Sequence, residues 1–187
     1  MTAALLLAAG GPAAAGCRLA LALGIDVSRS VDAGEYRVQR DGIVAALNDA
    51  SVRAAILVPR DGVALAVYEW SGQDHQALLV DWTKVGTAAD IDRVAAAVGQ
   101  AERGIAGPTA LGAALDFGRA LLARAPDCAL GTLDLSGDGR SNDGPAPARV
   151  QAAAGWGRAR VNGLAIGGHE TDIAEYYARE VIRGPGA

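Results

Sequence analysis

The chain has 187 residues, 20% of them charged and 51% apolar, with a formal net charge of −4. That length supports one domain with a sizeable core, and the composition is globular rather than disordered. No basic cluster supports nucleic-acid binding, and no Lys/Arg-rich helix supports attachment to a membrane surface.

The chain opens "MTAALLLAAGGPAAAGC", an apolar stretch, a Gly-Gly-Pro break and small residues before Cys17. This is the pattern of an h-region followed by an A-x-A type cleavage site. Residues 1–16 are therefore expected to be a signal peptide, which gives a periplasmic or secreted destination. The departure is that no Lys or Arg precedes Arg18. A first strand with an apolar leader is the alternative. "AAGC" also resembles a lipoprotein cleavage box, and ordinary secretion is the preferred reading. Gly10, Gly11, Pro12 and Arg18 interrupt the apolar run, so no membrane span is expected. Cys17 and Cys128 would be buried thiols in a reducing compartment and could pair in an oxidising one.

Residues 19–26 form an apolar run of strand length. Val31–Leu47 then reads as a helix, with Asp32 as N-cap and Glu35 three residues on. Val63–Trp70 and "HQALLVDW" are strands joined by the short turn "SGQD", which makes them an antiparallel hairpin. Ala88–Val98 is helical. "GIAGPT" is a loop, and a helix runs from Thr109 to about Arg124. "ALGTLDLSGDG" is a fourth strand ending in a polar loop. Pro147–Trp156 is a helix, Val161–Ile166 a fifth strand and Thr171–Ile182 a last helix. Strands alternating with helices predict an α/β fold, with a mostly parallel sheet and helices on both faces. Sites in such sheets lie at the carboxyl ends of strands, where the strand order reverses.

Two strands end in acidic, hydroxyl-rich loops, "DVSRS" and "LSGDG". Asp26, Ser28 and Ser30 offer three oxygens from one loop. Thr109 opens a helix and Asp138 follows the fourth strand. Five oxygen donors with no Cys or His suit a hard cation, Mg²⁺ first, with Mn²⁺ or Ca²⁺ as variants. The neutral hydroxyls leave positive charge on such an ion, so an outside carboxylate can complete its coordination. A D-x-S-x-S match alone is about a one-in-twenty accident at this length. Its position at a strand end, with the two other loops, gives it weight.

This set resembles the metal-ion-dependent adhesion site of von Willebrand factor A-like domains. The likeness is closer still to a bacterial branch of that superfamily known only as a domain of unknown function. The local cues are "DVSRSVD", "VYEWSG", "GPTALG" and "DLSGDGRSND". The resemblance runs from about Cys17 to the end. It implies a Rossmann-like sheet of order 3-2-1-4-5 with the third strand antiparallel, and metal ligation by Asp26, Ser28, Ser30, Thr109 and Asp138. It also implies a further strand and helix beyond "IRGPGA", so residues 17–187 would be a C-terminally truncated domain with an unpaired sheet edge. If strands one and four are parallel neighbours with both acids at the top, Cys17 and Cys128 sit at similar height near the bottom. A disulfide between them is then expected, conditional on export. Arg29 departs from the small residue usual at its position, and a cation there would weaken metal binding or meet an acidic partner.

Simpler roles compete with each assignment. Asp26 and the serines can be cap and turn residues, although Asp32 already fills the cap. Thr109 can be an N-cap, and Asp138 part of an Asp-Gly turn. Glu69 reads as a packing or surface residue, with an outer role at the site as the alternative. His75 and His169 have no catalytic neighbour in sequence and read as surface residues. Trp70, Trp82 and Trp156 read as packing.

Three functions follow. The first is a non-enzymatic module whose metal captures an acidic side chain of a protein partner. The second is a Mg²⁺-dependent hydrolase on a similar sheet. That chemistry usually needs a second acid where Ser28 stands and a Lys, and the only lysine is Lys84, expected in the loop after the edge strand. No phosphate-binding loop, dinucleotide fingerprint or nucleophile elbow is present. The third is a structural exported domain with Arg29 in place of a bound ion.

Overall fold

A computed structural model describes residues 16–57, 61–166 and 170–187. The expected signal peptide lies outside the described residues apart from Gly16, and so does His169. The elements, in chain order, are β1 (Cys17–Asp26), α1 (Ala33–Asn48), α2 (Ala50–Leu57), β2 (Val63–Trp70), β3 (Gln76–Val85), α3 (Ala88–Gly99), α4 (Leu111–Ala123), β4 (Cys128–Gly137), α5 (Pro147–Gln151), β5 (Arg160–Ala165) and α6 (Ile173–Glu180).

The sheet order is β3-β2-β1-β4-β5. β1 runs parallel to β2 and β4, β4 runs parallel to β5, and β3 closes one side antiparallel to β2. This is the order implied by the von Willebrand A-like resemblance. At the other side β5 has a single isolated bridge on its outer edge, Val161 to Arg183, among the described residues.

Strand periodicity sorts the two cores. On β2 every residue is buried, as a strand covered on both faces requires. Val63, Leu65 and Val67 point to α1–α3, while Ala66, Tyr68 and Trp70 point to α4–α6. β1 alternates likewise, with Ile25 in the first core and Ala22 in the second. On the first face, an apolar groove of about 620 Å³ lies open between α1, α2 and the β4–β5 half, with Leu164 64% exposed at its edge.

Asp32 caps α1 as expected. Its side chain accepts from the backbone N–H groups of Gly34 and Glu35, and the Glu35 carboxylate accepts from the Asp32 N–H. Two elements differ from the expectation. α2 follows directly on α1, because the Asp49 carboxylate accepts from Ser51 and Val52 and starts a new helix. The helix expected over Pro147–Trp156 ends at Gln151. Gly155 and Gly157 adopt φ values of 97° and 54°, which turn the chain and bring the Trp156 indole back to donate to the Val150 carbonyl.

At the lower end of the sheet, Cys17 and Cys128 are register partners on β1 and β4. The structure joins them in a disulfide, with Cα atoms 4.4 Å apart.

Candidate metal centre

Three loops meet at the carboxyl ends of β1 and β4: residues 27–32 after β1, residues 100–110 before α4, and residues 138–146 after β4. The first is fixed mainly by backbone bonds. The Val27 N–H donates to the Trp70 carbonyl and the Arg29 N–H to Gly107, each at 2.9 Å. The Arg103 guanidinium donates to the carbonyls of Val27 (3.1 Å) and Ser28 (2.8 Å). The second and third loops hold each other. The Thr109 N–H donates to the Asn142 side chain at 2.9 Å, and the Asn142 N–H returns to the Thr109 carbonyl at 2.8 Å.

Within this frame Asp26, Ser28, Ser30 and Asp138 are joined by a chain of hydrogen bonds, and Thr109 lies beside them at Gly139. The Ser28 N–H donates to Asp26 Oδ1 at 2.7 Å. Ser30 Oγ donates to Asp138 Oδ1 at 2.7 Å and lies 3.1 Å from Ser28 Oγ. Thr109 is 5% exposed. It is not the helix cap: that position is Ala110, with no side-chain cap bond. Its hydroxyl instead faces the Gly139 backbone beside Asp138, where a Cβ added to the glycine would lie 3.8 Å from Oγ1.

The acids are buried and only half satisfied. Asp26 is fully buried and Asp138 is 5% exposed, yet among the described residues Oδ2 of each has no hydrogen-bond partner. Among the described residues neither carboxylate has an ion-pair partner. Burial pushes the Asp26 carboxyl up to about 7, against the lowering hydrogen bonds from Ser28, and the Asp138 charge adds to the rise. Leaving buried carboxylate oxygens unpaired is costly, and a divalent cation reverses that cost. Among the described residues no three His, Cys, Asp or Glu side chains gather into a metal group. The donor set is two carboxylates and three hydroxyls, so its chemistry fits a hard cation.

Other residues support these loops, and of them only Glu69 had an outer role among its sequence readings. Glu69 is 3% exposed, not a surface residue. It accepts from the Tyr36 hydroxyl and, at 3.0 Å, from the Gly104 N–H, so it anchors the loop that carries Arg103 and Thr109. Burial raises its pKa. Arg103 has no motif to mark it. Asn142 has only the polar run "GRSND" as a signal. His75 is exposed, as a surface residue should be. Lys84 lies inside β3 rather than in the loop after it. Its Nζ would be 3.5 Å from a Cβ on Gly16, at the end of the sheet opposite the acids.

The fold, a sheet of order β3-β2-β1-β4-β5 with β3 antiparallel, is of the von Willebrand factor A-like type. The family model described as protein of unknown function (DUF1194) matches residues 16–187, and the chain belongs to that family. No curated protein matches. Among solved structures, proximal thread matrix protein 1 from the mussel byssus gives a TM-score of 0.59 at 19% identity, covering 81% of this chain and 35% of that one. The same protein with a zinc-occupied MIDAS motif gives 0.58 at 20% identity, over 81% and 36% of the two chains. An aerotolerance-related membrane protein from Bacteroides fragilis gives 0.57 at 12% identity, over 79% and 67%. At these identities the likeness is one of fold. This chain spans about a third of the mussel protein's length. Among the described residues no helix is long and apolar enough to cross a membrane.

Proposed function

We propose that the chain is a non-enzymatic, divalent-cation-dependent protein-binding module of an exported protein. Asp26, Ser28, Ser30, Thr109 and Asp138 would hold the ion, Mg²⁺ first, with Mn²⁺ or Ca²⁺ as substitutes. When bound, the ion supplies a positive charge that accepts a carboxylate from a partner's Asp or Glu. The observation that carries this reading is the pair of buried acceptors, Asp26 Oδ2 and Asp138 Oδ2, left without donors inside an all-oxygen cluster.

The two other readings have less support. A Mg²⁺-dependent hydrolase of this fold type needs a lysine at the acids, and Lys84 is at the far end of the sheet. An arginine standing in for the ion would have to reach the acids. Arg29 is exposed and bonds neither carboxylate, so its charge faces outward, where an acidic partner would meet it.

Thermal melting in EDTA, and then in Mg²⁺, Mn²⁺ or Ca²⁺, tests the metal reading. A ligand bound only by the folded state stabilises by about 2.7 kcal/mol at a hundred times its Kd, so the melting temperature should climb with ion concentration. The climb should vanish in Asp26→Ala. A folded wild-type sample that shows no rise with any of the three ions at millimolar concentration removes the metal reading. Metal-dependent retention of Glu-containing peptides tests the partner chemistry.

A further inference from the structure

Surface loops are normally polar, and the loop before α4 is not. Residues 104–108 read Gly-Ile-Ala-Gly-Pro and carry no polar side chain. Gly104, Ile105 and Ala106 are exposed in succession, with Ile105 67% exposed. Exposed apolar residues scattered singly are ordinary, and Leu130, 51% exposed on the lower part of β4, is one of them. A run of them calls for a function.

The run is also held in place. The Gly104 N–H donates to Glu69 at 3.0 Å, and the Ser71 hydroxyl donates to the Ile105 carbonyl at 2.7 Å. Glu69 is 3% exposed and Ser71 fully buried, so both anchors belong to the interior. The Gly107 carbonyl accepts from the N–H of Arg29, the residue between Ser28 and Ser30. On the other side of the run, the Arg103 guanidinium donates to the Val27 and Ser28 carbonyls. These bonds fix Ile105 at the end of β2, next to the loop that carries the two serines. A segment already ordered loses little conformational freedom when a partner binds, which favours affinity. Charge names the rest of the partner. Arg29 is exposed on the adjoining loop, and its charge, like that of an ion at the rim, attracts a carboxylate.

We propose that residues 104–106, anchored by Ile105, form an apolar contact beside the metal centre. The partner segment that fits this rim carries an Asp or Glu with an aliphatic or aromatic side chain next to it in sequence. Its carboxylate meets the ion and Arg29, and its apolar neighbour covers Ile105 and Ala106. The pairing of a water-free apolar contact with a charged rim is the general anatomy of protein interfaces.

This contact rests on the metal reading, and the experiment separates the two. The probes are immobilised peptides Gly-Gly-X-Glu-X-Gly-Gly, with X as Leu in one and Ser in the other. Retention is measured in Mn²⁺ and in EDTA for wild type, Ile105→Ser and Leu130→Ser, with calorimetric Mn²⁺ affinity and melting temperature beside it. In Mn²⁺ the wild type should hold the Leu peptide at least about tenfold more tightly than the Ser peptide, as burial of aliphatic side chains implies. Ile105→Ser should lose that preference while its Mn²⁺ affinity stays within about twofold and its melting temperature is kept, as for exposed positions generally. Leu130→Ser, at the opposite end of the sheet, should keep the preference. Equal retention of both peptides by wild type, or a Leu preference that survives in Ile105→Ser, overturns the apolar contact and leaves the metal reading standing. Loss of Mn²⁺ affinity in Ile105→Ser also overturns it, because the loop then serves the ion. Mn²⁺ binding with neither peptide retained overturns carboxylate capture and this contact together, and a wild type that binds no Mn²⁺ overturns the metal reading with both.

Discussion

β1 and β4 pair from Cys17 and Cys128 up to Gly24 and Leu135, and their two ends are closed by opposite chemistry. At the lower end, register partners Cys17 and Cys128 are covalently joined. At the upper end, Asp26 and Asp138 are buried with one oxygen each unpaired. Between them β1 packs apolar residues on both faces, while β4 packs Leu133 and Leu135 on one. One end thus gives up stability that the other end and the core provide. Buried polar groups without partners persist where the surrounding structure over-determines them, and that is where function concentrates.

The sharpest way to break this comparison is to open the lower end. The disulfide spans a sequence separation of 111 residues. In the chain-entropy model a loop of that length is worth about 4–5 kcal/mol. Reduction, or Cys17→Ser with Cys128→Ser, should lower stability by up to that amount in a urea or thermal melt. The metal response at the far end should persist in whatever fraction stays folded. Equal stability of oxidised and reduced protein would show that the lower end contributes little.

The upper end should show the reverse sign in metal-free protein. The folded state holds the Asp26 proton up to about pH 7, against 3.8 for the ordinary carboxyl. Between those values the folded state binds more protons than the unfolded state, so this residue makes stability fall as pH rises from about 4 to about 7. Asp26→Asn removes that titration. In EDTA at pH 8 the variant should be more stable than wild type, by on the order of a few kcal/mol. It should also gain nothing from Mg²⁺. A wild-type melting temperature in EDTA that is flat from pH 4.5 to 7.5 would contradict the origin assigned here to the cost.

Gly137→Ala tests the floor of the same end. Its methyl would collide with the Tyr177 hydroxyl and press on Asp26 Oδ2 and the Trp70 ring. Overpacking of this kind costs about 1–3 kcal/mol. The variant should lose stability by about that much and lose the ion response with it. Gly42→Ala, inside α1 where an added Cβ meets nothing within 4 Å, should move the other way and raise stability by about 0.5–1 kcal/mol.

Sequence and structure agree most where local chemistry repeats. The apolar run of β1, the run of β2 that is apolar but for Glu69, and the short turn before β3 mark the sheet before any contact is known. The capping box at Asp32 and Glu35 marks the start of α1. The oxygens of Asp26, Ser28 and Ser30 stand out because three donors fall in five residues at a strand end. Their supports do not stand out. Glu69 and Arg103 act through bonds 35 and 75 residues away in sequence. Long-range polar contacts carry no periodicity, so nothing local announces them. α2 is hidden for a related reason: its eight residues are too few to show a helical stripe.

The smallest effect is expected at Arg29, which sits between two of the site's hydroxyls and still faces solvent. Its N–H is tied to Gly107, so the backbone there is set without the side chain. Arg29→Ala should move the melting temperature little, within about 0.5 kcal/mol, as for exposed positions generally. Removing a nearby positive charge should tighten Mg²⁺ binding by a few-fold at most, since exposed charge pairs are worth about 0.2–1 kcal/mol. Capture of a Glu-containing peptide by the metal-loaded protein should move the other way. It should weaken in Arg29→Ala, and most at low salt, because a rim charge acts chiefly on encounter and is screened within about 10 Å at 0.1 M ionic strength. Tighter metal with weaker peptide would separate two roles at one loop: the serines on either side of position 29 serve the ion, and the arginine serves the partner. Parallel loss of both would mean that Arg29 holds the loop itself, and its outward charge would then have no part in recognition.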